Sequence, residues 1–493
     1  MAQSIKKLFS DSVVYGLSSI VGRFLNYLLV PLYTYKIAAS TGGYGVVTNI
    51  YAYTALILVL LTFGMETTFF YFANREGGNP RRTFATALGA VGAVAALFVV
   101  VVMAFSAPIT QAMGYAEHPD YVMTMAAVVA IDAFQAILFA WLRFEGRAWK
   151  FATLKLAFIV ANIALNLFVF LVAPGIADHP WMSWYNPDNQ VGYIFTVNLI
   201  CTAAVTLGFV PELRIAARAG FDRHLLPSML RYTWPLLLLG VVGVMNQVAD
   251  KIIFRYLMPG TEGEVQLGIY GACVKIAMIM AMITQAFRYA YEPFVFGGGR
   301  DKESKPTQAA VMKYFVIFTL LAYLAVVCYM DVLRHIINPS YWEGLRTVPI
   351  VMMAEIFMGI YFNLSFWYKL TGETWWGAIM SAIGCVVLIA VNVVFVPKVG
   401  YMACAWGGFC GYGVCMLLSY FIGQRKNPVP YDVRRILFYF LLAICLAWIH
   451  GLIPDSSVVL RVAIGTLLLL VYAAVVVLRE RELVAPIIKR LKR

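Results

Sequence analysis

The chemistry of this chain resides in a few charged and polar side chains inside long apolar stretches. Arg23 and Asn26 belong to a polar stripe at steps of three and four along the first stretch. Arg23 lies about 16 Å from the start of that stretch at about 1.5 Å per residue, too deep to reach the interface easily. A charge at that depth costs from about 2.5 kcal/mol upward, so it faces a cavity or a partner. We expect Arg23 to line a cavity and bind an anion there, or else to pair with a carboxylate or with carbonyls near Pro31.

A later stretch carries the same kind of stripe. Gln247, Lys251 and Arg255 fall at i, i+4 and i+8 on one helical face, and Asp250 lies on the adjacent strip. These side chains could form the cationic wall of a central cavity. The alternative is structural, with Arg255 reaching the outer interface and Asp250 neutralising a cation.

The stretch that follows adds a third group of charges. Lys275 lies near its outer end, and Arg288 and Glu292 lie four residues apart near its cytoplasmic end. Arg288 and Glu292 could pair within the helix or face the cavity. The residues that we predict to line a substrate cavity are Arg23, Asn26, Gln247, Asp250, Lys251, Arg255, Lys275 and Arg288.

The apolar stretches themselves are long and numerous enough to span a membrane. Hydrophobic residues make up 62% of the 493 residues and charged residues 13%, which would leave a soluble domain with large exposed apolar patches. Because a span needs about 20 apolar residues, we predict an all-α integral membrane protein. Its transmembrane helices number about fourteen, at 12–36, 44–72, 84–106, 121–142, 152–173, 190–210, 232–257, 267–296, 311–330, 347–368, 375–396, 401–422, 436–453 and 459–478.

The positive charges predict the orientation of these helices. The net charge is +13, and alternate connections hold roughly 27 lysines and arginines against 3 in the others. By the positive-inside rule, both termini are cytoplasmic. The charges are spread over many short connections rather than over one folded face, so we expect no nucleic-acid partner.

A sequence repeat divides the chain. Tyr44-Gly45 opens a stretch that ends in Glu66, and Tyr270-Gly271 opens another that ends in Glu292 with the same spacing. Two copies of one helical bundle around a central cavity are typical of carriers that work by alternating access. We predict two pseudo-symmetric six-helix lobes, at 1–220 and 221–430, and an additional helix pair with a basic cytoplasmic tail at 431–493.

Three carboxylates are candidates for coupling such a carrier to an ion. They are Glu66, Asp132 and Glu292. Asp132 is followed by Gln135 on the same helical face, and this pair could instead hydrogen-bond between helices.

Metal, cofactor and catalytic sites have little support in the sequence. The eight cysteines form no CxxC pair, and the five histidines are scattered without the spacing of metal ligands. No connection exceeds about 20 residues, too short to hold a catalytic domain. We therefore expect no metal site, no cofactor and no enzymatic activity.

Short motifs occur in a characteristic order along the chain: Asp250 to Phe254, Gly268 to Ala272, Ala286-Phe287, Glu292 to Phe294, Pro339 to Trp342, Asn392, Val396 to Gly400 and Ala405-Trp406. In this order and placement they resemble the polysaccharide-export branch (oligosaccharide and O-antigen flippases) of the multidrug/oligosaccharidyl-lipid/polysaccharide exporter superfamily. The resemblance implies a flippase that moves an undecaprenyl-diphosphate-linked oligosaccharide from the cytoplasmic to the periplasmic leaflet of the bacterial inner membrane, for assembly of O-antigen, capsule or exopolysaccharide. The partners it implies are the lipid-linked glycan, membrane lipids and the polysaccharide polymerase or ligase machinery.

Three other functions remain as alternatives. Lipid II flippases of the same superfamily are expected to carry arginines on helices one, two and eight, whereas here helix two has Asn49 and Glu66 and helix eight has Lys275. A cation-coupled multidrug antiporter would typically have twelve helices and an acidic cavity. A membrane-embedded glycosyltransferase or polymerase would need carboxylates on sizeable outward loops, and the loops here are short.

Overall fold

The protein is an all-α membrane protein, as the sequence predicts. A computed structural model describes residues 27–75, 78–298, 304–454 and 457–480. Within these ranges there is no β-strand, and thirteen helices are long and apolar enough to cross a membrane. Most of the predicted first span, at 12–36, lies outside the described residues, which accounts for the difference between thirteen and fourteen.

The chain forms two compact units, 1–271 and 272–493. The described helices of the first unit are α1 Leu29–Lys36, α2 Gly43–Thr62, α3 Met65–Ala73, α4 Pro80–Ala104, α5 Ser106–Ala112, α6 Pro119–Phe144, α7 Ala148–Leu167, α8 Gln190–Thr206, α9 Val210–Ala219, α10 Leu225–Leu257 and the first part of α11 Thr261–Gly298. A π-helical turn, Phe168–Val172, and 3-10 turns extend α7.

The second unit contains the rest of α11 and the helices that follow it. They are α12 Ser304–Cys328, α13 Met330–Leu333, α14 Val348–Leu364, α15 Phe366–Thr371, α16 Trp375–Val399, α17 Met402–Lys426, α18 Val433–Gly451 and α19 Val458–Arg479. A 3-10 segment, Pro339–Thr347, precedes α14. The division between the two units therefore falls inside α11, and the lobe boundaries at 220 and 430 stay a prediction.

The predicted span at 44–72 is interrupted between α2 and α3. Phe63 and Gly64 both have positive φ, 36° and 72°, so the helix ends and restarts within the membrane. The hydroxyl of Thr233, on α10, donates a hydrogen bond to the Phe63 carbonyl oxygen. This contact satisfies a carbonyl that the break frees, which is the usual condition for irregular backbone at membrane depth. The period of the apolar residues gives no sign of the break, because apolar side chains continue across it.

Aromatic side chains form the core at the end of the first unit that the charge pattern predicts to be cytoplasmic. Phe84 and Trp141 stack with ring centroids 4.5 Å apart, and Phe69 packs against both rings. All three side chains are buried. They join α3, α4 and α6 into one layer, which holds the lower part of the first unit together.

The C-terminal helix pair is fixed to the rest of the second unit through α19, whose start contacts α13 and whose end contacts α12. At one end Arg461 pairs with the buried carboxylate of Asp331 at 2.9 Å, and at the other Lys313 pairs with the buried carboxylate of Glu480 at 2.5 Å. Tyr472 also donates a hydrogen bond to the carbonyl oxygen of Ile317, 3.2 Å away. These contacts make the helix pair an integral part of the second unit, since a buried ion pair cannot be broken cheaply.

Candidate functional site

The repeated Tyr-Gly motif marks a close crossing between α2 and the start of α11. A Cβ atom added to Gly45 would lie 1.9 Å from the carbonyl oxygen of Glu264, and one added to Gly268 would lie 2.9 Å from the backbone nitrogen of Gly45. A Cβ at Gly271, the second glycine of the repeat, would lie 2.3 Å from the Thr48 hydroxyl oxygen. Only glycine permits backbones to approach this closely, as in other tightly packed membrane helices. The repeated motifs thus pack against one another.

A buried asparagine connects α2 to α10 beside this crossing. Asn49 is 1% exposed, and its amide nitrogen donates a hydrogen bond to the Lys251 carbonyl oxygen at 2.7 Å. Its amide oxygen accepts a hydrogen bond from the Tyr115 hydroxyl at 2.8 Å. Burial raises the pKa of the Tyr115 hydroxyl well above its usual value, so this group stays protonated and remains a donor. Asn49 therefore holds α2, α10 and the connection before α6 together.

Arg255 forms a second link, from α10 to the start of α11 and to the connection before α6. Its guanidinium pairs with the Glu264 carboxylate at 2.7 Å, donates a hydrogen bond to the Gly114 carbonyl oxygen and lies 3.9 Å from the ring centroid of Tyr115. The Arg255 side chain is 14% exposed and that of Glu264 20%. We call the contacts among Gly45, Asn49, Tyr115, Arg255 and Glu264 the outer junction, because all lie on the side predicted to face outward.

The neighbouring charges of α10 are paired as well. The Lys251 ammonium lies 3.0 Å from Asp250 Oδ1 and donates a hydrogen bond to the Gln247 carbonyl oxygen at 3.0 Å. Asp250 also accepts a hydrogen bond from the Tyr270 hydroxyl, at 3.0 Å. Asp250 thus balances the charge of Lys251 in this conformation. This is the structural role that the sequence offered as the alternative for Asp250, to neutralise a cation. Whether Gln247, Asp250, Lys251 and Arg255 contact a substrate stays a prediction.

The remaining predicted cavity residues are Arg23, Asn26, Lys275 and Arg288. Arg23 and Asn26 lie outside the described residues. Lys275 and Arg288 are on the part of α11 that belongs to the second unit, where the Arg288 guanidinium lies 5.1 Å from the Phe362 ring centroid. Their contribution to a substrate cavity stays a prediction.

The candidate coupling carboxylates have different surroundings. Glu66 pairs with Arg143 at 2.5 Å on the side predicted to be cytoplasmic. Asp132 is half-buried on α6, and the following Gln135 donates hydrogen bonds to the Thr202 carbonyl oxygen and the Thr206 hydroxyl, both at 2.8 Å. The Glu292 side chain lies outside the described residues. Gln135 thus bonds α6 to α8, and the coupling role of all three carboxylates remains a prediction.

Sequence reasoning identified the cations of α10 but missed most of their partners. Glu264 lies 9 residues after Arg255 and Tyr115 lies 140 residues before it, and no helical period relates them. Asn49 gave the one sign in the sequence of a polar contact here, because it is an amide inside an apolar stretch. Such a residue predicts a polar partner without identifying it.

Comparisons with known proteins show the same fold in solved transport proteins. No protein-family profile matches the sequence, and no curated protein matches it. The lipid II flippase MurJ in an inward closed conformation matches with a TM-score of 0.72 and 12% identity, over 97% of this chain and 100% of that chain. An inward-facing multidrug resistance MATE family transporter of the MOP superfamily matches with a TM-score of 0.64 and 13% identity, over 82% of this chain and 94% of that chain.

A third match is the MATE multidrug transporter DinF-BH, in the structure of a complex. Its TM-score is 0.59 and its identity 16%, over 88% of this chain and 96% of that chain. At these identities the likeness shows the fold, which this chain shares with a lipid II flippase and with multidrug transporters. The predicted fold class is confirmed. The polysaccharide-export branch is not singled out by these matches.

Proposed function

We propose that this chain is a flippase that carries a lipid-diphosphate-linked oligosaccharide across the bacterial inner membrane by alternating access. The observation that supports this most is the extent of the match to the lipid II flippase, 97% of this chain. The C-terminal segment 431–493 is about 13% of the chain, so that match must include most of it. The MATE family transporter of the MOP superfamily covers 82% of the chain. A fold that extends through the C-terminal helix pair therefore favours a flippase.

The charge chemistry of α10 is compatible with a diphosphate substrate. A bare diphosphate is prohibitively costly in the bilayer, and fixed ammonium and guanidinium groups offset that cost through charge-assisted hydrogen bonds. We propose Arg23, Lys251, Arg255, Lys275 and Arg288 as such groups. Lys251 and Arg255 are bound to Asp250 and Glu264 in this conformation. A diphosphate that replaces Asp250 or Glu264 as the partner of the cation binds more tightly to the conformation in which that ion pair is open. It shifts the equilibrium between the paired and the open conformation by the difference between its affinities for the two.

The resemblance of the sequence motifs to polysaccharide exporters supports an oligosaccharide as the cargo. Asn49 and Glu66 on the second predicted span, where lipid II flippases are expected to carry an arginine, support a glycan other than the peptidoglycan precursor. On this proposal both termini are cytoplasmic, and the flipped glycan passes to a polymerase or ligase in the periplasm.

A cation-coupled multidrug antiporter is the second candidate, because two of the matching structures are multidrug transporters. Asp250 and Glu264 supply the carboxylates that a cationic drug would need if Lys251 and Arg255 moved away. In an antiporter, the carboxylates of these ion pairs would contact the substrate, whereas in a flippase the cations would. The two functions therefore predict substrates of opposite charge.

Deletion of the gene in its host separates the two candidates. We expect the lipid-linked oligosaccharide to accumulate in the cytoplasmic leaflet, protected from glycosidase added outside spheroplasts, while uptake of a cationic rhodamine dye is unchanged. The wild-type gene should restore glycan export. Lys251→Gln should restore it poorly, whereas the matched control Lys398→Gln, on an exposed face of α16, should restore it fully. Normal glycan export together with increased rhodamine accumulation would contradict the flippase and support the antiporter.

A further inference from the structure

Four segments of the first unit line a cavity next to the outer junction. It has a volume of about 630 Å³ and lies among residues 36–46, residues 114–121, residues 187–191 and Glu264. All four segments lie at helix ends, or in the connections beside them, that the charge pattern places on the outward side. The volume falls within the range of pockets that bind small molecules, so a short oligosaccharide fits it by size.

The side chains at the rim carry charges of both signs. Lys36, Glu117 and Asp188 are exposed and line the cavity. None of the three takes part in an ion pair within the ranges that the structure describes. Groups of opposite charge around one cavity offer both donors and acceptors to a ligand.

The wall of the cavity is aromatic. The rings of His118 and Tyr121 stack with centroids 4.6 Å apart, and the Tyr121 hydroxyl donates a hydrogen bond to Asn189 at 3.2 Å. Tyr115 adds a further ring beside them. A carbohydrate suits this combination, because its hydroxyls both donate and accept hydrogen bonds while its C–H faces pack on apolar surface.

A metal ion suits the cavity less well. Among the described residues no group of three histidine, cysteine, aspartate or glutamate side chains is arranged to hold one. An anionic ligand would meet Glu117 and Asp188, which outnumber Lys36 at the rim.

We propose that this outer cavity binds the saccharide part of the cargo after it has crossed the membrane. The proposal rests on the flippase function and adds a second, outward binding site to it. Glu264 and Tyr115 line the cavity and also contact Arg255 in the outer junction. A saccharide bound in this cavity therefore lies against residues of the outer junction, beside the crossing of α2 with α11. It would be retained there until release.

Binding of free neutral disaccharides to the purified full-length protein in lipid nanodiscs tests this site directly. The probes are maltose, lactose and chitobiose, measured by saturation-transfer difference NMR with titration. We expect saturable binding of at least one of them. Asp188→Asn and Glu117→Gln should each weaken it about tenfold, the usual effect of losing a hydrogen bond to a charged group. Both side chains are exposed and lack an ion-pair partner in the described chain, so the variants should fold as the wild type does.

Asp178→Asn is the matched control, since Asp178 is an exposed carboxylate of the same outward connection as Asp188 and does not line the cavity. Equal binding by Asp178→Asn and Asp188→Asn, or no saturable binding of any of the three disaccharides, would overturn the proposal. Saturable Ca²⁺ binding that Asp188→Asn abolishes would also overturn it. The flippase function does not depend on these outcomes, because a protein that flips lipid-linked glycan without binding free disaccharide would lack only the outer site.

Discussion

Replacing Gly45 by alanine should separate α2 from the start of α11. The added Cβ would lie 1.9 Å from the Glu264 carbonyl oxygen and 2.8 Å from its carbonyl carbon. Reaching an ordinary contact distance of 3.4 Å requires the two helices to move apart by about 1.5 Å. Both blocking atoms belong to the backbone, so no side-chain rotation can relieve the clash. Overpacking of this kind costs about 1–3 kcal/mol. A cost of that size shifts the ratio of separated to closely packed α2 and α11 by about 5–150-fold.

The shift can be measured by the reactivity of a cysteine placed in the crossing. Thr48 faces Gly271 there, so Thr48→Cys, in a background without the native cysteines, should react slowly with a membrane-impermeant maleimide. Adding Gly45→Ala should increase the labelling rate at least about fivefold, the lower end of the population shift. The protein should still insert and accumulate, since the change affects one helix crossing.

Gly243→Ala is the matched control, because a Cβ at this position of α10 would meet nothing within 4 Å. It should leave the labelling rate of Thr48→Cys unchanged. If Gly45→Ala and Gly243→Ala gave the same rate in folded protein, the close crossing would be wrong, and with it the explanation of the repeated Tyr-Gly motif.

Further predictions concern the outer junction, the first span and the topology. Arg255→Ala should destabilise the outer junction by about 1–3 kcal/mol, because it removes an ion pair and a hydrogen bond. In thermal unfolding, a double-mutant cycle of Arg255→Ala with Glu264→Ala should give a coupling energy of about 1 kcal/mol or more. Additive effects of the two substitutions would exclude a direct ion pair. Arg23→Ala should abolish glycan export without loss of protein from the membrane, and Arg23→Lys should keep part of the activity; normal glycan display in Arg23→Ala would make Arg23 structural. A cysteine at His118 should react with impermeant reagents in whole cells and one at Asn79 only with permeant reagents, and the reverse pattern would invert the topology.

The helical fold could be predicted from the sequence because its signal is strong and local. Each span is a long apolar run, and every predicted segment from 84–106 onward coincides closely with a described helical span. The segment at 44–72 is instructive, since two helices, α2 and α3, replace one continuous helix there. The break depends on a hydrogen bond from Thr233, 170 residues later in the chain. A local pattern cannot show a contact of that kind.

The candidate site was less predictable, for the same physical reason. The stripe of Lys251 and Arg255 follows from the helical period, whereas their surroundings depend on how helices from distant parts of the chain meet. The repeat of Tyr44-Gly45 and Tyr270-Gly271 was visible in the sequence, but the approach of Gly45 to Glu264 and Gly268 appears only in three dimensions. Glycine spacing indicates close packing without identifying the partner helix.

Reconstitution of the purified protein into proteoliposomes tests the flippase most directly. A fluorescent undecaprenyl-diphosphate oligosaccharide is placed in both leaflets, and a membrane-impermeant reductant then bleaches the molecules that reach the outer leaflet. We predict that active protein makes nearly all of the fluorescence accessible, and that protein-free liposomes, and liposomes with Arg23→Ala, leave about half of it protected. If the wild-type protein also left half protected while it transported a cationic rhodamine dye against a cation gradient, the lipid-diphosphate oligosaccharide would not be its substrate.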